Sequence, residues 1–305
     1  LSSGVFHARA YHGGHGRQND RGRSITDKEV PPQGGASFFG YNHRMDSASP
    51  ITSLSNPLVK LARSLRQKKA RTETNQFLVE GLHHVGEAIE SGWGMDALLY
   101  APDVLTSDFA RDLLERASRL SLRLQPVSAQ VMDSLTEKEN PQGILAIVRQ
   151  RRAGFDSLQN LQRLVALVSP QDPGNVGTIL RTIDAVGTDG LLLLDGGVDL
   201  YHPTVVRASM GALFWKSVVE STFDEFITWA RANKIQLIGT SAHAAADYHE
   251  FVPRLPWALV LGSEQKGLSA KQIAACDATL SLPMHGRVSS LNLAVAAGVL
   301  LYHFI

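Results

Sequence analysis

A chain of 305 residues with 44% hydrophobic and 19% charged side chains is long enough for about two domains, each with its own core. This composition excludes a fully disordered protein, a collagen-like fibre and a disulfide-stapled mini-domain. The formal net charge of +1 excludes a uniformly basic nucleic-acid coat. Because the sequence has no long apolar run, no apolar leader and only one cysteine, Cys276, it predicts a cytoplasmic protein without a membrane segment or a multi-cysteine metal site.

The first 44 residues hold six Lys or Arg against three acidic residues and are rich in Gly, His and Ser. Their apolar side chains show neither the helical nor the strand period, so the segment cannot bury enough surface to offset its ordering entropy. We therefore predict that residues 1–44 are a disordered tail or a non-native extension. Its four histidines are interpreted as solvated rather than metal-bound.

Helix and strand patterns alternate through residues 45–150. Pro57 is suited to open a helix, and Ser107 is suited to cap another. A further helix is predicted at 82–89, and the predicted strands are 77–79, 97–100, 122–127 and 144–148. This alternation indicates a smaller N-terminal α/β domain, which a basic linker over residues 151–162 follows.

A second α/β pattern runs through residues 163–305. Its strand candidates are nearly continuous apolar runs, which is typical of a parallel sheet covered by helices on both faces. The predicted strands are 164–168, 191–194, 217–219, 235–239, 258–261 and 278–282. The predicted helices are 176–186, 203–212, 223–232, 269–275 and 290–304.

Common nucleotide-binding signatures are missing from this second pattern. No Gly-x-Gly-x-x-Gly follows its first strand, which weakens a small-molecule Rossmann interpretation. Gly262 and Gly267 have the spacing of a phosphate-binding loop. However, Leu268 and Ser269 stand where that loop requires Lys and then Ser or Thr.

Two polar segments follow apolar strands in the second pattern. Residues 169–181 include Asn175 and Arg181, and they begin at a strand end, where ligands bind in open α/β sheets. Residues 259–267 place Glu264 between two glycines at another strand end, where the backbone can approach a ligand closely. Taken singly, each segment is explained about as well by an ordinary loop or tight turn.

A third polar segment, residues 282–298, leads from a Pro- and Gly-containing loop into the last helix. Ser290 has a simple structural explanation as the N-cap of that helix. Asn292 is harder to explain in this way, because a side-chain amide within an apolar run needs hydrogen-bond partners.

Together the three segments resemble the three motifs of the SpoU family of RNA 2′-O-ribose methyltransferases, in the SPOUT class. The residues that match these motifs are Asn175, Gly177, Arg181, Gly262, Glu264, Gly267, Leu268, Pro283, Met284, Ser290, Leu291 and Asn292. The intervening stretch 207–212 is also similar to the family. Residues 54–150 resemble the family's N-terminal substrate-binding domain.

The resemblance implies an α/β fold in which the C-terminal parallel sheet, residues 163–305, contains a trefoil knot. It also implies S-adenosylmethionine as the methyl donor, no metal, and transfer to a ribose 2′-hydroxyl, with ribosomal RNA as the favoured substrate. The implied cofactor contacts are Thr240, Gly262, Leu282, Met284 and Leu291. The implied catalytic residues are Asn175, Arg181, Glu264, Ser290 and Asn292.

Six cations and no acid occur within twelve residues of the N-terminal domain. A solvated helix face is the plain explanation. Because the chain beyond residue 44 holds 24 basic and 26 acidic residues, we favour contact between this local cluster and RNA phosphates. The cluster consists of Lys60, Arg63, Arg66, Lys68, Lys69 and Arg71.

Two other functions stay open at the level of the sequence. One is a transfer RNA 2′-O-methyltransferase, and the other is a non-catalytic RNA-binding or ribosome-assembly factor with the same fold. The intact motif residues favour an enzyme, because a decayed copy is expected to lose some of them. The apolar C-terminal helix, 291–305, is assigned to the core or to a homodimer interface, since the family is typically homodimeric.

Overall fold

The computed structural model of the protein describes residues 49–136 and 142–305. The predicted tail, residues 1–44, lies outside these ranges. The described residues belong to one compact unit and form two sheets with helices around them.

The first sheet is mixed and has the strand order β1-β4-β2-β3. Strand β4 pairs antiparallel with β1 and β2, and β2 pairs parallel with β3. All four predicted strands are confirmed, whereas α2 and α5 are helices that the sequence analysis missed. The elements in chain order are α1 (Pro57–Ser64), α2 (Lys68–Thr74), β1 (Gln76–Glu80), α3 (Leu82–Glu90), β2 (Met95–Tyr100), α4 (Asp108–Arg119), β3 (Leu124–Pro126), α5 (Ala129–Leu135) and β4 (Ile144–Arg149).

Local capping chemistry determines where helices of this part begin. Asn56 is the N-cap of α1, and its side chain accepts from the Leu58 N–H at 2.9 Å, with Pro57 in the first turn. Ser107 caps α4 as predicted, accepting from the Ala110 N–H at 3.2 Å. These caps satisfy backbone donors that a helix leaves unpaired at its start.

The second sheet has seven parallel strands in the order β7-β6-β5-β10-β8-β11-β9. Strands β6 and β10 are buried along their whole length, which explains their unbroken apolar sequences. The elements are β5 (Arg163–Val168), α6 (Pro173–Ala185), β6 (Gly190–Leu194), α7 (Pro203–Ala208), β7 (Ser217–Ser221), α8 (Phe223–Ala232), β8 (Gln236–Thr240), β9 (Ala246–Asp247), β10 (Trp257–Leu261), α9 (Ala270–Ala274), β11 (Ala278–Ser281) and α10 (Leu293–His303).

The six predicted strands of the second sheet are confirmed, and the short edge strand β9 was missed. Strand β10 is inserted between β5 and β8, although it follows both in the chain. The carboxyl ends of β8, β10 and β11 therefore meet at one edge of the sheet. In an open parallel sheet, this edge is where loops can form a ligand site.

The two sheets share an apolar core at their junction. Phe77 and Trp93, from the first part, pack against Tyr201 and Phe214, from the second. The centroids of the Phe77 and Tyr201 rings are 4.6 Å apart. The indole N–H of Trp93 donates to the carbonyl of Phe214 at 3.1 Å.

A buried ion pair crosses the same junction. Arg71, which is 2% exposed, donates from Nε and Nη2 to Oδ2 of Asp199 at 2.9 and 2.5 Å. Its Nη1 donates to the carbonyls of Leu65 and Arg66 at 2.9 and 2.7 Å. The hydrogen-bonding capacity of this guanidinium is therefore directed into the protein.

We expect Arg71→Met to lower the free energy of unfolding by about 3 kcal/mol, because it leaves the Asp199 carboxylate without its buried cation. Urea denaturation measures this change. The matched control is Lys69→Met, since Lys69 pairs with Glu73 across solvent, with side chains 83% and 63% exposed. The free energy of unfolding of Lys69→Met is expected to fall by less than about 1 kcal/mol. Equal losses in the two variants would contradict the importance of the buried pair.

Candidate functional site

An open cleft of about 680 Å³ lies at the carboxyl ends of β8, β10 and β11. Its volume is in the range of small-molecule sites. The five residues expected to contact a cofactor all line this cleft: Thr240, Gly262, Leu282, Met284 and Leu291. The structure thus brings together side chains that come from three different strand ends and the loop after β11.

The turn after β10 requires glycine at two positions. A Cβ on Gly262 would lie 2.1 Å from the carbonyl carbon of Gly267 and 2.3 Å from the Leu268 nitrogen. Gly267 itself has a φ of +63°, in the left-handed region that favours glycine. The backbone therefore folds back on itself directly beside the cleft.

Three of the five catalytic candidates form a chain of hydrogen bonds. Asn175 Nδ2 donates to Glu264 Oε1 at 2.9 Å, and Asn292 Nδ2 donates to Asn175 Oδ1 at 2.9 Å. Asn292 is also the N-cap of α10, because its Oδ1 accepts from the N–H groups of Ala294 and Val295. The Asn292 amide thus finds its partners in the Asn175 side chain and in the backbone N–H groups at the start of α10.

The carboxylate of Glu264 accepts two further bonds, from the backbone N–H groups of Gln171 and Asp172 at 2.9 and 3.2 Å. Partial burial opposes its ionisation. The hydrogen bonds from Asn175 and from the two backbone groups outweigh that effect and hold the pKa of Glu264 below its ordinary value. The carboxylate is therefore ionised at neutral pH.

Ser290 lines the cleft and is exposed, but it does not cap the last helix. The structural explanation of Ser290 as an N-cap is therefore wrong, since α10 begins at Leu293 with Asn292 as its cap. The predicted start of this helix at residue 290 is also three residues early. The Ser290 hydroxyl makes no hydrogen bond to the described residues, and so it is free to meet a ligand.

Arg181 lies on a different side of α6 from Asn175. A Cβ on Gly177 would be 2.6 Å from the Ala208 Cβ and 2.7 Å from the Val205 carbonyl oxygen, so Gly177 faces α7. Arg181 follows Gly177 by four residues and shares its side of the helix. Its side chain is exposed, and it is not among the residues that line the cleft.

The cation cluster is divided between two helices rather than carried by one. Lys60, Lys68 and Lys69 are exposed, and Arg63 and Arg66 are half-buried. The prediction that Arg71 contacts RNA is wrong for this structure, because the Asp199 pair and two backbone carbonyls already hold its buried guanidinium. Sequence alone could not separate it from its neighbours, since its partner is 128 residues away.

The cleft also has lining residues that the sequence analysis did not select. Ser241 and His243 follow β8, and Lys266 lies in the turn after β10. Their position just after predicted strands was the available signal. Among the described residues, no group of three His, Cys, Asp or Glu is placed to hold a metal ion. No helix in these ranges is long and apolar enough to cross a membrane.

Comparison with family models finds two matches along the chain. Residues 162–302 match the SpoU rRNA Methylase family. Residues 56–146 match the MRM3-like substrate binding domain. The two matches fall on the second and the first sheet, respectively.

Curated proteins and solved structures agree with these matches. The chain is 32% identical over 255 residues to the 23S rRNA (guanosine(2553)-2′-O)-methyltransferase of Bacillus subtilis, covering 83% of this chain and 98% of that protein. It is 32% identical over 271 residues to the 23S rRNA (uridine(2479)-2′-O)-methyltransferase of Streptomyces viridochromogenes, covering 86% and 93%. An AdoMet-bound rRNA methyltransferase from Sinorhizobium meliloti superposes with a TM-score of 0.77 at 34% identity, covering 84% and 97%.

The lowered pKa of Glu264 predicts an acid-dependent contribution to stability. Ionised Glu264 stabilises the fold above its ordinary pKa of 4.5, and this contribution is lost as the pH falls through the lower folded-state value. We expect the melting temperature of the wild type to exceed that of Glu264→Gln by a constant amount near neutral pH and by less in acid. The control is Glu115→Gln, since Glu115 is an exposed carboxylate on α4, and the melting-temperature difference should change more with pH for Glu264→Gln than for this control. A pH-independent difference for Glu264→Gln would oppose this assignment.

Proposed function

The chain belongs to the SpoU rRNA methylase family, and from this membership we propose that it transfers a methyl group from S-adenosylmethionine to a ribose 2′-hydroxyl of ribosomal RNA. One observation carries the proposal for this chain. The hydrogen-bonded group Glu264, Asn175 and Asn292 joins three segments far apart in the sequence at the edge of a ligand-sized cleft. Both curated relatives named above modify 23S rRNA at the 2′ oxygen, at different nucleotides.

The cleft fits S-adenosylmethionine in size and in the character of its walls. Gly262 lines it where the backbone of residues 262–267 turns tightly, and apolar Leu282 and Leu291 lie beside it. We assign Gly262, Leu282 and Leu291 to the cofactor, together with Thr240 and Met284. When bound, the cofactor supplies a methyl group on a positively charged sulfur.

The ribose 2′-hydroxyl is a weak nucleophile that must be oriented and must lose its proton. In our proposal Asn175, Glu264, Ser290 and Asn292 orient the ribose, and the free Ser290 hydroxyl is available for a direct contact. A guanidinium stays protonated in proteins, so Arg181 is not assigned as the base. It instead holds a phosphate or stabilises the developing charge on the oxygen.

The part of the chain that holds the first sheet is proposed to bind RNA, as residues 45–150 were expected to do. The proposed phosphate contacts are Lys60, Arg63, Arg66, Lys68 and Lys69, of which the three lysines are exposed, whereas Arg71 is engaged inside the protein. Residues 151–162 then act as the linker to the catalytic part, 163–305. The cytoplasm, where the cysteine content suits a reduced protein, is the proposed location.

A homodimer and a trefoil knot complete the proposal. Helix α10 exposes Val295 and Tyr302, by 52% and 63%, and Ile305 just beyond it by 53%. Such apolar side chains on one terminal helix support burial against a second copy. The insertion of β10 between β5 and β8 supports a knotted C-terminal part of the kind that the SPOUT class has.

The activity is tested by transfer of tritiated methyl groups from S-adenosylmethionine to ribosomal RNA that lacks modifications. We expect transfer by the wild type and a loss of at least a hundredfold in Arg181→Ala, because removing a charge-stabilising group typically costs that much. Calorimetry should show unchanged cofactor binding in the same variant, since Arg181 does not line the cleft. Near-normal turnover by Arg181→Ala would contradict a catalytic role for Arg181. Methyl transfer only to transfer RNA would mean that transfer RNA, and not ribosomal RNA, is the substrate.

The cation cluster predicts a salt dependence. We expect the triple change of Lys60, Lys68 and Lys69 to Gln to weaken RNA binding and to flatten the plot of log affinity against log salt by up to about 2.7, since each lost phosphate contact removes about 0.9. Filter binding at several salt concentrations measures the slope. The control removes three other exposed cations, Lys234, Arg254 and Lys271. An equal change of the salt slope in both triple variants would mean that the net charge of the protein alone is responsible.

A further inference from the structure

Trp215 exposes an aromatic ring where the two sheets meet. It is 53% exposed, whereas Trp93 and Trp257 are buried and Trp229 is half-buried. The indole Nε1 of Trp215 donates to Oε2 of Glu87, on α3, at 2.6 Å. Since its single polar hydrogen is bonded, the ring is held in one orientation while much of its surface remains in water.

The turn before Trp215 is shaped to hold this exposed ring against α3. Gly211 has a φ of +95°, and a Cβ there would lie 2.6 Å from Cγ of Glu87. Met210 has a φ of +50° and is 44% exposed, and its carbonyl accepts from Nε2 of His83 at 3.1 Å. A non-glycine residue in this conformation is costly and persists only where its surroundings require it. The turn is therefore an ordered feature of the junction.

Two arginines without ion pairs to the described residues lie on α6 and α7, and α6 packs against α7 and against residues 212–214, just before this ring. Lys216 contacts Asp184 on α6 at 3.1 Å, which puts the neighbouring Trp215 beside that helix. Arg181 precedes Asp184 by three residues, so the two share one side of α6. Arg207, in the last turn of α7, is exposed. Neither Arg181 nor Arg207 forms an ion pair with another residue in the described ranges.

We propose that Trp215 is a stacking platform for an unpaired RNA base, and that Arg181 and Arg207 bind phosphates next to that base. We call Trp215, Met210, Arg181 and Arg207 the junction surface. The proposal rests on the proposed function and deepens it, because it identifies a single-stranded stretch near the target ribose as part of the substrate. It also assigns RNA contacts to the catalytic part of the chain.

The charges of the junction surface favour RNA over a protein partner. Two acids beside it are bonded within the protein, Glu87 to the Trp215 indole and Asp184 to Lys216. The members of the surface itself are cationic or apolar. Exposed aromatic rings flanked by guanidinium groups are how proteins bind unpaired nucleotides, since every base has a face that can stack.

The test uses the intrinsic fluorescence of the full chain titrated with a single-stranded oligouridylate of about ten nucleotides. A base stacked on the exposed indole should quench part of the emission, and Trp215→Phe should remove that quenching while keeping most of the affinity. The matched control is Trp229→Phe, because Trp229 is half-buried and stacks on Phe155, with centroids 5.0 Å apart. This control should quench as the wild type does.

The RNA affinities of two variants separate the contribution of stacking from that of charge. Trp215→Ala should weaken oligouridylate binding roughly tenfold without changing its salt slope, because the lost contact is uncharged. Arg207→Gln should instead lower the salt slope by about 1. Unchanged affinity in Trp215→Ala overturns the proposal. So does a shift of that variant from dimer to monomer in sedimentation with RNA affinity intact, which would assign the indole to a protein interface.

The methyl-transfer assay, run in parallel, keeps the two proposals distinguishable. Suppose that the wild type transfers methyl groups and that Trp215→Ala does so with an unchanged Michaelis constant for RNA. The proposal that the junction surface binds RNA is then wrong, and the proposed function stands. If the quenching of fluorescence depends on Trp215 while no RNA is methylated, the proposal that the junction surface binds RNA stands and the proposed function is wrong. A raised Michaelis constant that Trp215→Phe restores supports both.

Discussion

A chain of two side-chain hydrogen bonds runs from Glu264 through Asn175 to Asn292 and ties together three segments of the second sheet. Its two end residues also order the backbone nearby, since Glu264 accepts N–H groups of the loop after β5 and Asn292 caps α10. The same atoms that order the loops around the cleft are thus the polar groups that face its edge. Because the amides and the carboxylate satisfy one another, hydrogen bonds within the protein hold the edge of the cleft together.

The junction between the two sheets is the second constraint on the molecule. A shared aromatic core and the buried pair between Arg71 and Asp199 hold the first sheet against the second. In this arrangement the cations of α1 and α2 have a defined position relative to the cleft.

Arg181 shows how one motif can serve two sides of a helix. Asn175 bonds Glu264 and Asn292, which line the cleft. Gly177 instead allows Ala208 of α7 to pack within 2.6 Å of the position of a Cβ, and Arg181 shares the side of Gly177. The spacing of this motif therefore combines a polar contact, a close helix crossing and an exposed cation. The side chain of Arg181 is thereby left exposed.

The sequence by itself determined the class of the fold and every strand of both sheets except β9, because apolar periodicity is a local signal. Its resemblance to the SpoU family pointed to five residues that line the cleft, whereas Ser241, His243 and Lys266 were not selected. The sequence also identified Asn292 as an amide in need of partners. Only the tertiary structure decided that Asn175 and α10 supply them, that Ser290 is not a cap, and that Arg71 is buried while Lys68 and Lys69 are exposed. The physical reason is that burial and pairing depend on which distant parts of the chain meet. Asn292 and Arg71 each bond a residue more than a hundred positions away, and no local pattern records that partner.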